Sequence, residues 1–379
     1  MPIPRLQVFC SHVNTESLVA DFLHERITQD FLGLVEVFNS SNTFNTLAGQ
    51  AWLDQLTEGL KKSDLHLVLC SAQAITRSWI NFEAGAARVR GIPIVPLCYR
   101  SLTPAQLPIP FAMYEWLGIT TPEGWQKLYK TISDELGTNI PQAGFTDYAA
   151  KIAQLETAFR KQEATLAKFG GAPTADAAPE ILEYPNVLCI SSPQFMEIGF
   201  SNQLQTVIDA FPATVQHARV LDSKVLKDEV MRTKYHVVHL ATYICPRTGD
   251  VYFSEVDLQT GASSQTPADK ITADALASLL QQAGTQLVVI TSCDSSKLLL
   301  SLIETAHIVA TGDMVSSKMM AQWVEDFYER LTHRVRLSQA LEYATKNSGA
   351  PMRFYARQPR SMDVELRMSS EPEAQPVSS

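Results

Sequence analysis

The sequence lacks the features of a membrane protein, a secreted protein or a general nucleic-acid-binding protein. No apolar run approaches the ~18 residues of a transmembrane helix, and the start, MPIPRLQVFCSH, has no apolar stretch typical of a signal peptide. Lys and Arg number 31 against 40 Asp and Glu, a net charge of −9, and no long basic cluster supplies concentrated positive charge for phosphates. We expect a cytoplasmic protein with no membrane association and no general nucleic-acid binding.

Cysteine pairs with the spacing of metal ligands are also missing. The chain has 6 cysteines, which are widely spaced, form no CxxC pair and mostly lie in apolar strand-like runs. His236 and His239 are three residues apart in an expected strand, so they point to opposite faces and are poorly placed to share one ion. We therefore expect reduced thiols and no metal site.

The first part of the chain alternates short apolar strands with amphipathic helices. Its 379 residues, 45% of them hydrophobic, are enough for two domains with separate cores. The expected strands are Leu6–Cys10, Leu34–Phe38, Leu65–Cys70 and Ile92–Leu97, and the expected helices are Thr15–Thr28, Gly49–Lys62 and Trp79–Arg88. This alternation predicts an α/β fold with a parallel sheet, whose ligands bind beyond the carboxyl ends of the strands.

A long helix over Asp147–Lys168 and the linker-like GGAPTADAAPE separate this part from a second alternating pattern. The second pattern predicts strands at Val187–Ser191, His236–Tyr243, Gln286–Ser292 and Ala306–Thr311, and helices at Asn202–Ala210, Ala273–Gln282, Ser317–Arg330 and Leu337–Lys346. The polar segment after Ser361 predicts disorder. We therefore divide the chain into a first α/β domain at 1–140, helix and linker at 141–180, a second α/β domain at 181–355 and a disordered tail at 356–379.

The stretch SAQAITRSWINFEAGAA places a carboxylate among small residues. Ser78 is expected to cap the helix, and Glu83 follows Trp79 by four residues, so both lie on one face. Small side chains after Glu83 allow backbone or a ligand to approach closely. From the spacing alone, Glu83 can equally be a solvated carboxylate on the helix surface.

Four segments in the first third of the chain resemble, in order, the bacterial TIR domain: VFCSHVNTESLVADFL, VEVFNSSNTFNTLAGQAWLDQL, SDLHLVLCSAQAITRSWINFEAGAA and GIPIVPLCYRSLTPAQLPIPF. The resemblance implies a flavodoxin-like fold and, as in the enzymes of this family, cleavage of the nicotinamide–ribose bond of NAD⁺ with Glu83 as the catalytic carboxylate. NAD⁺ is then a substrate, and no bound cofactor is expected. Nicotinamide leaves as a neutral molecule, so one carboxylate that stabilises the ribosyl cation suffices, unlike the pair of an ordinary glycosidase.

The same resemblance implies substrate contacts for Phe9, Ser11, Phe38, Ser40 and Trp79. Ring faces of Phe9 and Phe38 would lie near the nucleotide, and Ser11 and Ser40 would donate hydrogen bonds. Core packing is an open alternative for Phe9, Phe38 and Trp79. The loop after the second strand, NSSNTFNT, lacks the Asp or basic residue common in the family, which leaves substrate orientation and cyclisation open.

Between Val187 and Asn347 the chain resembles the CHAT family of caspase- and separase-related peptidases. The resemblance rests on KYHVVHLATYICPRTGDVYFSEVDLQTG, ITADALASLLQQAGTQLVVITSCDSS, HIVATGDMV and WVEDFYERLTHRVRLSQALEYATKN. Cys293 matches the nucleophile position, but Tyr243 stands where the family has histidine, and tyrosine is a poor base at neutral pH. His239 has the strand parity of Tyr243 but lies four residues, or roughly 13 Å, earlier.

We therefore expect a CHAT-like domain without peptidase activity, in which Cys293 is a buried structural thiol; an alignment shift that restores a Cys–His dyad stays open. Together the resemblances imply an NAD⁺ glycohydrolase, an enzyme acting on N-glycosyl bonds. Oligomerisation would activate it, and the CHAT-like domain would sense an unknown ligand or protein, in bacterial antiviral defence by abortive infection. The alternatives are a cyclase making a cyclic ADP-ribose messenger, a non-enzymatic TIR signalling adaptor and, less favoured, a protease effector.

Overall fold

The computed structural model describes residues 5–39, 58–100, 102–109, 111–171, 179–192, 201–245, 247–253, 256–257, 262–263, 269–292, 295–313, 315–333, 335–357 and 363–367. The fold is mixed α/β with parallel sheets. The chain divides into two compact units, Met1–Gln162 with Asp257–Gly261, and Glu163–Val256 with Ala262–Ser379. The division falls inside the long helix that the sequence assigned to the interval 141–180.

The first unit contains a five-stranded sheet in the order β2-β1-β3-β4-β5, in which every described pairing is parallel. Its elements are β1 (Leu6–Ser11), α1 (Ser17–Asp30), β2 (Val35–Asn39), β3 (Leu65–Cys70), α2 (Ser78–Val89), β4 (Ile94–Cys98), β5 (Leu117–Gly118), α3 (Pro122–Leu136) and α4 (Phe145–Phe169). The predicted strands and helices here are confirmed to within two residues. Of the predicted helix Gly49–Lys62, residues 58–62 are described, and they are helical.

Both faces of this sheet are covered, which explains its near-continuous apolar strands. Successive side chains of a strand point to opposite faces, so Val8 packs in one cluster with α1, α3 and α4, whereas Phe9 packs in another with Trp79 of α2. Helix α3 was not predicted. It begins after the N-cap Thr121, whose hydroxyl accepts from the Gly124 amide at 3.2 Å. A Cβ on Gly124 would lie 1.9 Å from the Gly118 carbonyl oxygen, so only glycine fits there.

The second unit is built on a six-stranded sheet in the order β17-β16-β15-β9-β7-β8, parallel except for the edge strand β17. Its elements are β6 (Glu180–Glu183), β7 (Val187–Ser191), α5 (Ser201–Ala210), β8 (Val215–Arg219), α6 (Ser223–Arg232), β9 (Val237–Ala241), β10 (Tyr243–Ile244), β11 (Val251–Tyr252), β12 (Val256–Asp257), β13 (Ala262–Ser263), β14 (Lys270–Ile271), α7 (Ala273–Gln282), β15 (Leu287–Ile290), α8 (Ser296–Leu302), β16 (His307–Ala310), α9 (Ser317–Leu331), α10 (Leu337–Ser348), β17 (Arg353–Tyr355) and β18 (Val364–Arg367). The four helices predicted for this part are confirmed.

The single strand predicted over His236–Tyr243 is wrong, because the structure divides it into β9 and β10. Strand β9 ends at Ala241, level with the end of β7 and one residue beyond the end of β15, so the next residues have no strand to pair with in the large sheet. Tyr243 instead pairs antiparallel with Tyr252 in a separate small sheet. His239 and Tyr243 therefore lie in different strands, and the expectation that their side chains point to the same face of one strand is wrong.

The predicted disorder of the tail is wrong for Val364–Arg367. This segment forms β18 and pairs in parallel with β6, with Val364 opposite Glu180. Val364 and Leu366 are buried in the core of the second unit. A distant strand orders this polar stretch, which its own composition does not reveal. None of the helices in the described ranges is both long and apolar enough to cross a membrane.

Candidate functional site

The candidate site of the first unit lies between β1 and β3. In the order β2-β1-β3-β4-β5, the chain moves outward in both directions from this pair of strands, and open parallel sheets bind ligands at such a switch point. Ser11 is the last residue of β1, and α2, which carries Glu83, is the next α-helix after β3. The topology therefore brings two predicted site residues together from segments 72 positions apart.

Glu83 is fully buried, so the alternative of a solvated surface carboxylate is wrong. The Trp79 indole Nε1 donates to Glu83 Oε1 at 2.7 Å, which confirms the expected shared face of the helix. The Ser11 hydroxyl donates to Glu83 Oε2. The helix itself begins at Ser78 with Arg77 at the N-cap position, so the predicted cap at Ser78 is wrong by one residue.

Burial raises the pKa of Glu83 from 4.5 to about 8, because removal from water penalises the charged form. The hydrogen bonds from Ser11 and Trp79 oppose this shift, since both donate to the carboxylate. The result is a carboxyl group that changes its charge near neutral pH. Such tuned groups are concentrated at functional sites.

His66 completes this arrangement, and sequence reasoning missed it. The ring lies on β3, is fully buried and places Nε2 2.6 Å from Ser11 Oγ. Burial lowers its pKa to about 3, so the ring is neutral at physiological pH. Nδ1 makes no hydrogen bond to any residue that the structure describes. The run HLVLC reads as an ordinary buried strand, and only the pairing of β1 with β3 brings His66 to Ser11.

The predicted aromatic contacts, Phe9 and Phe38, pack against each other. Their ring centroids are 5.4 Å apart with an interplanar angle of 26°. Phe9 is fully buried and also forms a T-shaped pair with the His66 ring, with centroids 5.3 Å apart, whereas Phe38 is partly buried. Phe9 therefore supports the back of the site as a core residue. Ser40 lies outside the described residues.

Phe82 gives the site an exposed aromatic surface that sequence reasoning also missed. It stacks on Trp79 with centroids 5.0 Å apart and an interplanar angle of 28°. Phe82 is 51% exposed although Trp79 is partly buried. An apolar residue in an amphipathic helix is ordinarily assigned to the core, and here it instead extends the ring surface beside Glu83.

Glu16 is a second buried carboxyl group in the same unit. The Ser71 hydroxyl donates to Glu16 Oε1, and the Arg100 Nη1 lies 3.9 Å from the same oxygen. Burial raises the pKa of Glu16 to about 7, against the opposing effects of its hydrogen bonds and of Arg100. Glu16 and Glu83 are both buried carboxyl groups with a raised pKa, and they differ in that Glu16 has an arginine nearby. Glu16 can therefore serve as a control for substitutions of Glu83.

The predicted peptidase positions of the second unit are only partly described. Tyr243 is partly buried, and burial raises its phenol pKa, whereas Cys293 lies outside the described residues. His239 is fully buried in the core. Its Nδ1 lies 2.8 Å from Tyr328 Oη, and its Nε2 lies 3.2 Å from Thr291 Oγ1. Burial lowers the His239 pKa to about 3.

Two serine hydroxyl groups form hydrogen bonds at the carboxyl edge of the second sheet. The Ser292 hydroxyl donates to the Thr242 carbonyl oxygen, and Ser295 Oγ donates to the Ser292 carbonyl oxygen at 3.0 Å. The first bond joins the segments that follow β9 and β15, and the second is a local bond within the segment after β15.

Neither clustered metal ligands nor a disulfide occurs in the described ranges. Within them, no group of three or more His, Cys, Asp or Glu side chains is arranged to hold a metal ion. The described cysteines are all free, and they are Cys10, Cys70, Cys98, Cys189 and Cys245.

No protein-family profile matches the chain, and no curated protein is significantly similar to it. One similar solved structure is an ABC transporter periplasmic solute-binding protein from Actinobacillus succinogenes 130z with bound D-allose. The two chains are 10% identical, with 91% of this chain and 92% of that chain covered and a TM-score of 0.23. A likeness at this level carries no argument about fold or function.

Proposed function

We propose that the first unit is a TIR-type domain that hydrolyses NAD⁺, with Glu83 as the catalytic carboxylate. The observation that carries this proposal is the pairing of a fully buried Glu83 with two fixed donors, Ser11 and Trp79, at the switch point of a parallel sheet. The strand order 2-1-3-4-5 is that of flavodoxin-like folds, the architecture that the TIR resemblance implies.

The chemistry requires one ionised carboxylate and no general acid. The bond between the ribose C1′ and the nicotinamide nitrogen breaks, and nicotinamide leaves as a neutral molecule with the bonding electrons. Positive charge then develops on the ribose, where the Glu83 carboxylate stabilises it electrostatically. Water adds to C1′ and loses a proton, which gives ADP-ribose. In the cyclase alternative, a nitrogen of the adenine captures the same cation.

Both carboxylate oxygens can serve this role while they stay anchored. Ser11 and Trp79 each occupy part of the acceptor capacity of one oxygen, and a carboxylate has about four acceptor sites in all. The remaining sites can accept from ribose hydroxyl groups. Trp79 and Phe82 offer stacked ring surfaces for a flat base.

The complete burial of Glu83 favours a latent enzyme. A carboxylate with no exposed surface cannot touch NAD⁺ until the surroundings rearrange. Assembly of several chains supplies such a rearrangement, and latency protects a cell from continuous loss of NAD⁺. We therefore propose activation by oligomerisation, in a cytoplasmic effector of bacterial antiviral defence.

The second unit, in this proposal, is a CHAT-like sensor without peptidase activity that responds to a ligand or protein. Its support is the environment of the candidate bases. His239 has both ring nitrogens close to core hydroxyl groups and a pKa of about 3, and Tyr243 has a phenol pKa raised by burial. Neither side chain is suited to take a proton from a thiol at neutral pH.

A non-enzymatic adaptor is the second candidate, and one observation favours it. A fully buried carboxyl group with both oxygens bound by protein donors also suits a structural role. In an adaptor, the TIR-type domain would bind other copies of itself without consuming NAD⁺.

The experiment is NAD⁺ turnover by the full chain, with nicotinamide, ADP-ribose and cyclic products resolved by chromatography. The wild type is compared with Glu83→Gln and Glu83→Ala, and Glu16→Gln is the control for loss of a buried carboxyl group. Assays at high protein concentration and with a crowding agent address latency. Nicotinamide release that depends on Glu83 but not on Glu16 supports the proposal. No turnover by demonstrated oligomers overturns the proposal and favours the adaptor. Undiminished turnover in Glu83→Gln removes Glu83 from the mechanism and overturns its proposed catalytic role.

A further inference from the structure

We infer that His66 is a positioning residue, whose Nε2–H holds Ser11 as a hydrogen-bond donor to Glu83 and thereby favours the ionised carboxylate. Its effect on turnover rests on the proposed NAD⁺ hydrolysis, whereas its effect on the charge of Glu83 does not. His66 acts through Ser11 and does not itself meet the substrate.

The geometry is a continuous buried chain of hydrogen bonds. His66 Nε2 lies 2.6 Å from Ser11 Oγ, and the Ser11 hydroxyl bonds Glu83 Oε2. All three side chains are fully buried, so water does not compete for these partners. Trp79 closes the other end by donating to Glu83 Oε1 at 2.7 Å.

In the ionised state, every proton of this chain has an acceptor. His66 donates from Nε2 to Ser11 Oγ, Ser11 donates to Glu83 Oε2, and Trp79 donates to Oε1. In this arrangement His66 Nδ1 carries no proton and accepts no hydrogen bond. This agrees with the absence of a described partner for that nitrogen.

Protonation of Glu83 adds a donor to this chain, so the donors and acceptors no longer match. If the new carboxyl proton is donated to Ser11 while His66 keeps its Nε2–H, Ser11 receives two donors and its own proton loses its acceptor. If the Ser11 proton turns to His66 Nε2, the imidazole proton must move to Nδ1, where it is a buried N–H without a described partner. Either arrangement leaves a buried donor unsatisfied, which disfavours protonation of Glu83. Donation from His66 Nε2 polarises the Ser11 hydroxyl towards Glu83, and this arrangement exists only with the ionised carboxylate, so His66 opposes the effect of burial on Glu83.

The other titratable groups near this chain do not replace His66. Burial raises the pKa of the Cys10 thiol, with smaller effects of Glu83, Glu16 and Asp21, so the thiol is neutral. The acidic groups on the α1 side, Glu16 and Asp21, carry at most negative charge, which disfavours a second carboxylate. His66 itself is neutral at physiological pH, so it acts through its N–H and not through a charge.

Two substitutions separate a hydrogen-bond role from a packing role. His66→Gln keeps an amide N–H that can donate to Ser11, and His66→Leu fills the space without a donor. In the pH profile of kcat/KM for nicotinamide release, we expect a midpoint near pH 8 in the wild type. The midpoint should rise by about one unit in His66→Leu, which is about a tenfold loss at pH 7, and stay near the wild type in His66→Gln.

A second readout does not need turnover. The carboxyl infrared band that disappears in Glu83→Gln reports the protonation of Glu83 directly. We expect this band to persist to higher pH in His66→Leu and to follow the wild type in His66→Gln. An unchanged titration in His66→Leu overturns the inference. A shifted titration in a protein that never consumes NAD⁺ supports it while rejecting the proposed function.

Ser11→Ala keeps the test decisive if His66→Leu fails to fold. Removing the middle residue of the chain should raise the midpoint of the Glu83 titration in the same direction. An unshifted titration in Ser11→Ala contradicts the proposed chain.

Discussion

Two buried histidines, one in each unit, invite comparison. His66 on β3 and His239 on β9 are both fully buried, both have a pKa lowered to about 3, and both lie against hydroxyl groups. They differ in the group that lies beyond the hydroxyl. From His66 the chain of hydrogen bonds continues through Ser11 to a carboxyl group, whereas His239 lies between the hydroxyl groups of Tyr328 and Thr291.

The difference shows that burial and a shifted pKa do not by themselves mark a functional histidine. Around His239, the hydroxyl groups can rotate to satisfy the ring, and no partner changes its charge near neutral pH. Around His66, the carboxyl group of Glu83 changes its charge near pH 8, so the orientation of each proton has a consequence. Four measurements test whether the two buried networks differ in this way.

The largest expected effect is on turnover. Glu83→Gln keeps the size of the side chain but removes the charge, so we expect nicotinamide release to fall by about 10³-fold, as for loss of a key electrostatic contact. Tyr328→Phe, the matched change beside His239, should leave turnover unchanged. Equal losses in both variants would show that the two buried networks are not functionally distinct.

The next effect is the pH dependence of stability. The native pKa of Glu83 is about 8 against 4.5 for an ordinary glutamate, so the native state binds more protons than the unfolded state between these values. Its contribution is therefore complete below pH 4.5 and is lost as the pH rises towards 8. Relative to Glu83→Gln, the wild type should lose about 3 kcal/mol of unfolding free energy between pH 5 and pH 7.

Denaturant unfolding of both proteins at several pH values checks this prediction. The comparison with Glu83→Gln is needed because Glu16, with a pKa of about 7, acts in the same direction in both proteins. A pH-independent difference between the two proteins would mean that Glu83 ionises normally in the native state.

A smaller effect is expected for the indole that donates to Glu83. Trp79→Phe keeps a ring that can stack on Phe82 but removes the 2.7 Å hydrogen bond to Oε1. A bond to a charged group contributes about 1.5–3 kcal/mol, so turnover at pH 7 should fall by at least about tenfold. The loss should shrink at higher pH, where Glu83 ionises without this donor. A loss independent of pH would assign the indole to substrate contact instead.

The smallest effect concerns the second unit. Tyr328→Phe deletes the hydroxyl 2.8 Å from His239 Nδ1 and leaves that nitrogen without this partner. We expect a loss of about 1 kcal/mol in unfolding free energy and no change in the pH profile of nicotinamide release. A shifted profile would reveal coupling between the two units and would argue for a signalling role of this core.

Periodicity and local spacing predicted much of the regular structure. The strand Leu65–Cys70 and the helix Ala273–Gln282 have the predicted bounds, because each is a strongly patterned run between clear turn signals. The contact between Trp79 and Glu83 was also predictable, since a spacing of four residues places two side chains on one face of any α-helix.

Elements that depend on distant partners were missed. Strand β18 in the predicted disordered tail exists because β6 lies beside it, and the break after Ala241 occurs because neither β7 nor β15 continues beyond that residue. Neither cause can be predicted from the residues of the segment itself, because both depend on strands that are distant in sequence. Ser40 and Cys293, two of the predicted site residues, lie outside the described residues, so their predicted roles stay predictions.

The sequence by itself determined the α/β class, most helices and strands, and the shared helix face of Trp79 and Glu83, because all of these arise from periodicities of a few residues. Only the tertiary structure decided that Glu83 is buried, that Ser11 rather than solvent binds it, and that His66 stands behind Ser11. Those contacts join residues 55 and 72 positions apart, and their formation depends on the order in which parallel strands pair. Strand order is a property of the whole sheet, so no local pattern specifies it.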